Sequence, residues 1–203
     1  GARCFARFVY EQKFIGRRNI RVETASGNMQ LELTPENDVI VNMGPPILAP
    51  AEVPFTPESE NKTQAASYEI DVEGHGRIEL GAVSMGNPHG VIVVDDIETA
   101  AVETLGPLVE AHSSFPQKVN AGFMQVVNRN HIKLRVFERG VGETKACGTG
   151  ACGAVVSGIL RGLLDHTVQV DLPGGSLTIE WNGEGDVIMT GPTSNVFEGR
   201  VNI

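Results

Sequence analysis

The stretch that most limits how this chain can fold is Cys147-Gly-Thr-Gly-Ala-Cys-Gly-Ala-Val-Val-Ser-Gly-Ile-Leu. From about Gly148 to Leu164 it predicts a helix that is small or apolar on almost every side, and a helix without a polar face is buried in the middle of a domain. A chain of 203 residues has room for such a core, since at this size roughly 70% of the unfolded surface can be buried. Cys147 stands at the helix start. There the free backbone N–H groups and the positive end of the dipole face the thiol and any anion beside it. That placement predicts a shift toward thiolate, the reactive form. Gly148 and Gly150 let a ligand approach the backbone amides, and Thr149 adds a hydroxyl. A free cysteine is more often a small buried hydrophobe; the Cys-Gly-Thr-Gly start turns that balance toward a reactive group. Cys152, five positions on, points away from the helix mouth and reads as packing. The pair has neither a usual metal-ligand spacing nor the Cys-x-x-Cys of a redox site.

The rest of the chain alternates in short apolar runs. Residues 1–14 predict a helix. Ile20 and Val22, then Met29, Leu31 and Leu33, then Val39 and Val41 predict strands, with a hairpin turn over Ala25-Ser26-Gly27-Asn28. Between Gly44 and about Ser67, Pro45, Pro46, Pro50, Pro54 and Pro57 crowd together, so this stretch reads as a crossover or linker at a domain boundary. Strands resume at 68–73, 77–85, 91–94, 123–127, 132–137, 167–172, 176–181 and 187–190. A helix is expected over 98–111, interrupted at Gly106-Pro107. Many hairpins and few helices make the chain α+β.

Charge and composition exclude several functions. A net charge of −9 argues against a nucleic-acid partner, whose binding rests on clustered Lys and Arg. No apolar run is long enough for a transmembrane helix, so no membrane partner is expected. Neither a Gly-x-Gly-x-x-Gly nor a Walker A pattern is present, which leaves nucleotide binding without support. Three cysteines are too few and too odd for a secreted disulfide framework, which points to a reducing, cytoplasmic setting. The first residues do not resemble a targeting sequence, and the missing initiator methionine suggests a truncated or processed chain.

Gly1-Ala2 repeats Gly150-Ala151, each opening a small-residue helix. If the chain is an internal duplication, the counterpart of Cys147 falls three residues before Gly1. Cys4 then aligns with Gly153 and is not a second reactive thiol. With Gly86-Asn-Pro-His-Gly-Val, Val119-Asn-Ala-Gly-Phe, Val136-Phe-Glu-Arg-Gly-Val-Gly-Glu-Thr and Ala146-Cys-Gly-Thr-Gly-Ala-Cys, the sequence resembles the diaminopimelate epimerase family. The opening Gly-Ala-Arg-Cys is similar to the second half of that family's Cys-Gly-Asn-Gly-Ala-Arg-Cys motif.

The resemblance implies two similar domains, each a mixed sheet wrapped round a central helix, with the site in the cleft between them. On that basis 1–43 is the remnant of a first domain, 44–192 is the second, and 193–203 is a strand returning to the first. It implies a cofactor-independent, metal-free isomerase of lysine and peptidoglycan precursor synthesis that interconverts LL- and meso-diaminopimelate. Cys147 is one of two thiols that exchange the α-proton from opposite faces. Asn87, Asn120, Glu138, Arg139, Gly148 and Thr149 are implied to bind substrate, with Arg139 on the distal carboxylate. His89 and Glu138 are implied to adjust the thiol pKa. Phe197 is implied to lie in a homodimer contact.

Taken singly, Asn87-Pro88 is an ordinary turn dipeptide, His89 a scaffold residue and Glu138-Arg139 a solvated pair. Their joint occurrence with the Cys147 motif favours a site. His112, His131, His166 and Asp95-Asp96 lack such support and read as surface or loop residues. Two other readings stand beside the epimerase. One is a related two-thiol racemase, such as one acting on proline, against which Arg139 argues. The other is a non-catalytic binding half-module. Without a second positioned thiol, the 203 residues alone are expected to be inactive.

Overall fold

The computed structural model describes residues 1–24, 27–58, 63–197 and 199–200. The chain divides into two compact units, Gly1–Val41 with Thr190–Ile203, and Asn42–Met189.

In the smaller unit, α1 (Ala2–Glu11) is followed by β1 (Asn19–Thr24), β2 (Gly27–Leu33) and β3 (Val39–Asn42). β1 and β2 form an antiparallel hairpin with Ile20 opposite Leu31, and β3 extends it with Val41 opposite Leu31. Residues 25 and 26 of the expected turn lie outside the described residues. Alternation puts Leu31, Leu33, Val39 and Val41 on the buried face, where Ala6 and Val9 of α1 are also buried. The helix stops at Glu11, short of the expected residue 14, and Lys13 adopts a left-handed φ of +60°. Of the segment expected at 193–203 to return to the first domain as a strand, the described residues 193–197, 199 and 200 belong to no strand, and Gly191 ends the last strand among the described residues. Residues 201–203 lie outside the described residues.

The larger unit is built on a mixed sheet. Its strands are β4 (Tyr68–Val72), β5 (Gly76–Ser84), β6 (Pro88–Val93), β7 (Asn120–Asn128), β8 (His131–Glu138), β9 (Gly142–Thr144), β10 (Thr167–Leu172), β11 (Gly175–Glu180) and β12 (Ile188–Gly191). They lie in the order β12-β11-β10-β8-β7-β6-β5-β4, with the short β9, which the sequence did not announce, hydrogen-bonded to β8. β6 runs parallel to β7, and β8 to β10. Parallel neighbours need a crossover, and each pair has one: α2 (Val102–Glu110) joins β6 to β7, and α3 (Gly148–Leu160) lies between β9 and β10. The chain is therefore α+β, with two helical crossovers inside a largely antiparallel sheet.

α3 packs against β5, β6, β7, β8 and β11, and every residue from Gly150 to Gly158 is buried. A second core lies under α2, where Val102, Leu105 and Val109 meet Ile70, Leu80, Phe115 and Phe123. The proline-rich stretch belongs to this core. Val53 and Phe55 are buried, Phe55 stacks on Phe115 at 4.7 Å, and Ile47 bridges to Ser84.

The expected break at Gly106-Pro107 is also corrected. The helix begins only at Val102, so Pro107 sits in its second turn and withholds a helical hydrogen bond from just one carbonyl, that of the exposed residue Glu103. Gly106 is there because β8 comes too close for a side chain: a Cβ would lie 2.8 Å from Cβ and Cγ of Phe137. Gly106→Ala should therefore destabilise by about 1–3 kcal/mol through overpacking, despite the roughly 1 kcal/mol that alanine gains in helix propensity. Urea unfolding reads the sign, and a more stable variant would contradict the packing.

Candidate active site

The starts of β6 and β7 and the end of β8 lie at one edge of the sheet, because β6 and β7 run together and β8 runs against them. The N-terminus of α3 follows shortly after β8 and β9. Most of the candidate residues gather at this edge.

Cys147 is the N-cap residue of α3, in extended conformation (φ −132°, ψ 102°), with its carbonyl accepting the first helical bond from Ala151 N–H at 2.9 Å. It is 6% exposed, and its Sγ lies 3.7 Å from Thr149 Oγ1. The expected thiolate shift is corrected. Burial pushes the thiol pKa above the ordinary cysteine value. The Gly150 N–H opposes this, the Glu138 charge reinforces it, Thr149 opposes it, and Glu138 reinforces it again by accepting the thiol hydrogen. Desolvation and a neighbouring carboxylate thus outweigh the helix end.

Glu138 ends β8 and accepts a hydrogen bond from the Thr144 hydroxyl on β9, which fixes its carboxylate. Arg139, exposed beyond it, donates its backbone N–H to Asn120 Oδ1 at 2.9 Å and Nη1 to the Gln117 carbonyl at 3.1 Å. Asn120 is buried and donates Nδ2 to the Pro88 carbonyl at 2.9 Å. Its amide ties the β5–β6 turn to the end of β8. In that turn, Asn87 Oδ1 lies 3.1 Å from His89 Nε2.

His89 is buried, and its pKa is lowered to about 3, first by burial and then by the Arg139 charge. It is neutral near pH 7, so it brings no charge to bear on the thiol. Gly153 of α3 makes room for it, since a Cβ there would lie 3.2 Å from His89 Cβ. Phe197 is in the other unit and 85% exposed. The histidines read as surface or loop residues have structural partners: His131 pairs with Asp171 at 2.7 Å, His112 Nε2 lies 3.1 Å from the Asp71 carbonyl, and His166 Nδ1 lies 3.1 Å from that of Trp181. Among the described residues no group of three or more His, Cys, Asp or Glu is placed to hold a metal ion, and no helix is long and apolar enough to cross a membrane.

A sequence profile described as diaminopimelate epimerase matches residues 81–196, the segment that contains this whole network. Diaminopimelate epimerases of Pseudomonas paraeruginosa and Thioalkalivibrio sulfidiphilus are 56% and 57% identical to the chain over its full length, and the chain covers 72% of each. The chain belongs to the diaminopimelate epimerase family. Among solved structures, a hydroxyproline epimerase from Agrobacterium vitis matches with a TM-score of 0.64 at 16% identity, over 94% of this chain and 63% of that one. A phenazine biosynthesis protein of the PhzF family from Bacillus anthracis matches at 0.58 and 12% identity, over 91% of this chain and 69% of its own. These two likenesses concern the fold. The chain spans somewhat under two thirds of the first of them.

Two residues of this network carry no motif signal of their own. Thr144 stood inside a quoted motif but was not singled out as the group that orients Glu138. Glu110, buried on α2, was missed entirely, although a carboxylate on the apolar stripe of Val102, Leu105, Gly106 and Val109 is a legible signal.

Two pH effects follow. Alkylation of Cys147 by iodoacetamide should have its midpoint above that of an ordinary thiol, because the folded state disfavours the thiolate; Glu138→Gln should lower that midpoint. A midpoint below that of free cysteine would contradict the burial argument. For His89, the unfolded chain takes up the proton first, so stability falls as pH drops below the unfolded value of about 6.5 toward the folded value of about 3. Between pH 6 and 4.5 this residue alone should contribute a slope of about 1.4 kcal/mol per pH unit, and His89→Gln should remove it from urea titrations.

Proposed function

We propose that this chain carries one of the two acid–base thiols of a diaminopimelate epimerase, which interconverts LL- and meso-2,6-diaminopimelate by α-proton exchange. The observation that carries the reading is the placement of Cys147. It is a buried thiol at the mouth of a helix, flanked by Glu138 and Thr149 and within reach of the Gly150 N–H.

Inverting an α-carbon requires a base on one face and an acid on the other. A thiol whose pKa is raised rests protonated, so Cys147 begins as the acid and delivers its proton to the carbanion. The resulting thiolate is then stabilised by Gly150 N–H and the Thr149 hydroxyl, and in the reverse direction it is the base. The opposite face belongs to a second thiol of the full-length protein. Cys4 is exposed within α1 and has no comparable setting. Gly148 and Thr149 N–H lie outside the helical i→i−4 ladder and suit the substrate α-carboxylate as negative charge develops.

At the far end, Arg139 keeps most of its guanidinium donors available for a planar carboxylate, and Glu138 and Asn87 serve the amino groups. A proline-type racemase is not favoured, since its monocarboxylate substrate would leave Arg139 without a counterpart. On the same reading the enzyme needs no cofactor, works in the cytoplasm in lysine and peptidoglycan precursor synthesis, and forms a homodimer that covers Phe197.

The test is epimerisation of LL-diaminopimelate by the full-length protein in deuterated water, with deuterium entering the product at the α-carbon. Cys147→Ala should lower the rate by at least the 10²–10⁴-fold typical of a lost acid or base, while Cys152→Ala keeps substantial activity. Equal rates from the two variants would overturn the assignment. Arg139→Lys should weaken kcat/KM because the bidentate contact is lost, and full retention would assign the distal carboxylate to another group.

A further inference from the structure

The Glu138–Arg139 pair is held in place through its backbone. Residues 138–141 form a turn closed by Val141 N–H on the Glu138 carbonyl at 3.1 Å, with Gly140 at φ +73° in the position that requires a left-handed residue. Its two inner N–H groups are each taken by a buried side chain. Arg139 N–H donates to Asn120 Oδ1 at 2.9 Å, and Gly140 N–H donates to Glu110 Oε1 at 3.0 Å.

Glu110 is unusual for its place. It is the last residue of α2, its side chain is only 7% exposed, and both carboxylate oxygens lie 3.1 Å from Lys118 Nζ. A buried negative charge at a helix C-terminus opposes the helix dipole, so α2 gains nothing from it. Lys118 in turn holds a left-handed φ of +61°, uncommon for a residue with a long side chain. The two partners of this ion pair thus each carry a local cost, and the carboxylate they hold in place reaches the amide directly after Arg139. The Gln117 carbonyl, one residue from Lys118, receives the Arg139 guanidinium.

We propose that Glu110, paired with Lys118, is a positioning residue for substrate recognition: by accepting the Gly140 N–H it fixes the turn that aims Arg139 at the distal end of the substrate. This rests on the reading of Arg139 as the group that binds the distal carboxylate. A contact far from the reacting α-carbon is made equally in ground and transition states, so loosening it raises KM and leaves kcat nearly unchanged.

Three substitutions in the full-length protein separate this from a structural role. Glu110→Met removes the acceptor at similar size, Glu110→Gln keeps an oxygen acceptor, and Glu110→Asp keeps the charge but draws it back by one methylene. Glu110→Met and Glu110→Asp should raise KM for diaminopimelate about tenfold, the scale of a lost hydrogen bond to a charged group, with kcat within about threefold of the parent. The Gly140 amide should lose its protection from hydrogen exchange in both, and Glu110→Gln should recover most of the KM and the protection. Identical behaviour of the Met and Gln variants, or a lowered Tm with unchanged KM, would overturn the proposal. If Glu110→Met does not fold, the Asp and Gln pair gives the same reading. A parent protein without epimerase activity would overturn the functional reading itself, and Gly140 amide exchange would still decide whether Glu110 anchors the turn.

Discussion

The larger unit depends on a helix that has no face to show to water. With Gly150 through Gly158 buried, α3 can exist only where sheet strands surround it, and four glycines in thirteen residues make it a poor helix by itself. The same glycines explain how the strands come so near: His89 of β6 sits against Gly153 at a distance that leaves no room for a methyl group without adjustment. Burial is what makes the helix form, and the helix in turn fills the space against five strands of the sheet.

That enclosure determines the chemistry of the helix mouth. A helix N-terminus in open water would draw a thiol toward thiolate. Sunk among apolar neighbours and set beside Glu138, the same thiol is held protonated. The balance leaves the Gly150 N–H and Thr149 hydroxyl ready to receive negative charge only after the proton has left. His89, stripped of water and facing Arg139, is kept neutral and contributes shape and a contact with Asn87 rather than charge.

Much of this was legible in the sequence, and the failures have identifiable causes. The uniform smallness of residues 148–158 announces a central helix, and alternation locates most strands, with Thr167–Leu172 matching at both ends. The proline-rich stretch reads as a linker because proline cannot join a ladder; nothing local reports that Val53 and Phe55 still pack into the core. Pro107 reads as a helix breaker because its distance from the helix start depends on a boundary that the sequence leaves loose. The direction of the Cys147 shift needs the depth of burial and the nearness of Glu138, both tertiary facts. At the site, motif matching singled out residues that the fold gathers at one edge of the sheet. It missed Glu110, which acts on the backbone of its neighbours and has no motif of its own.

The position of α3 between β9 and β10 constrains how the chain can reach its final state. β8 and β10 lie side by side in parallel, and the segment that connects them occupies the interior of the sheet they help to form. A glycine-rich helix of this length does not persist unaided, so it depends on the strands that bury it. Helix formation and closure of the sheet are therefore thermodynamically coupled. Cys147 and Cys152, both on or beside that helix, are exposed only when it leaves its enclosure, so their reactivity toward a thiol reagent reports opening of the unit from within.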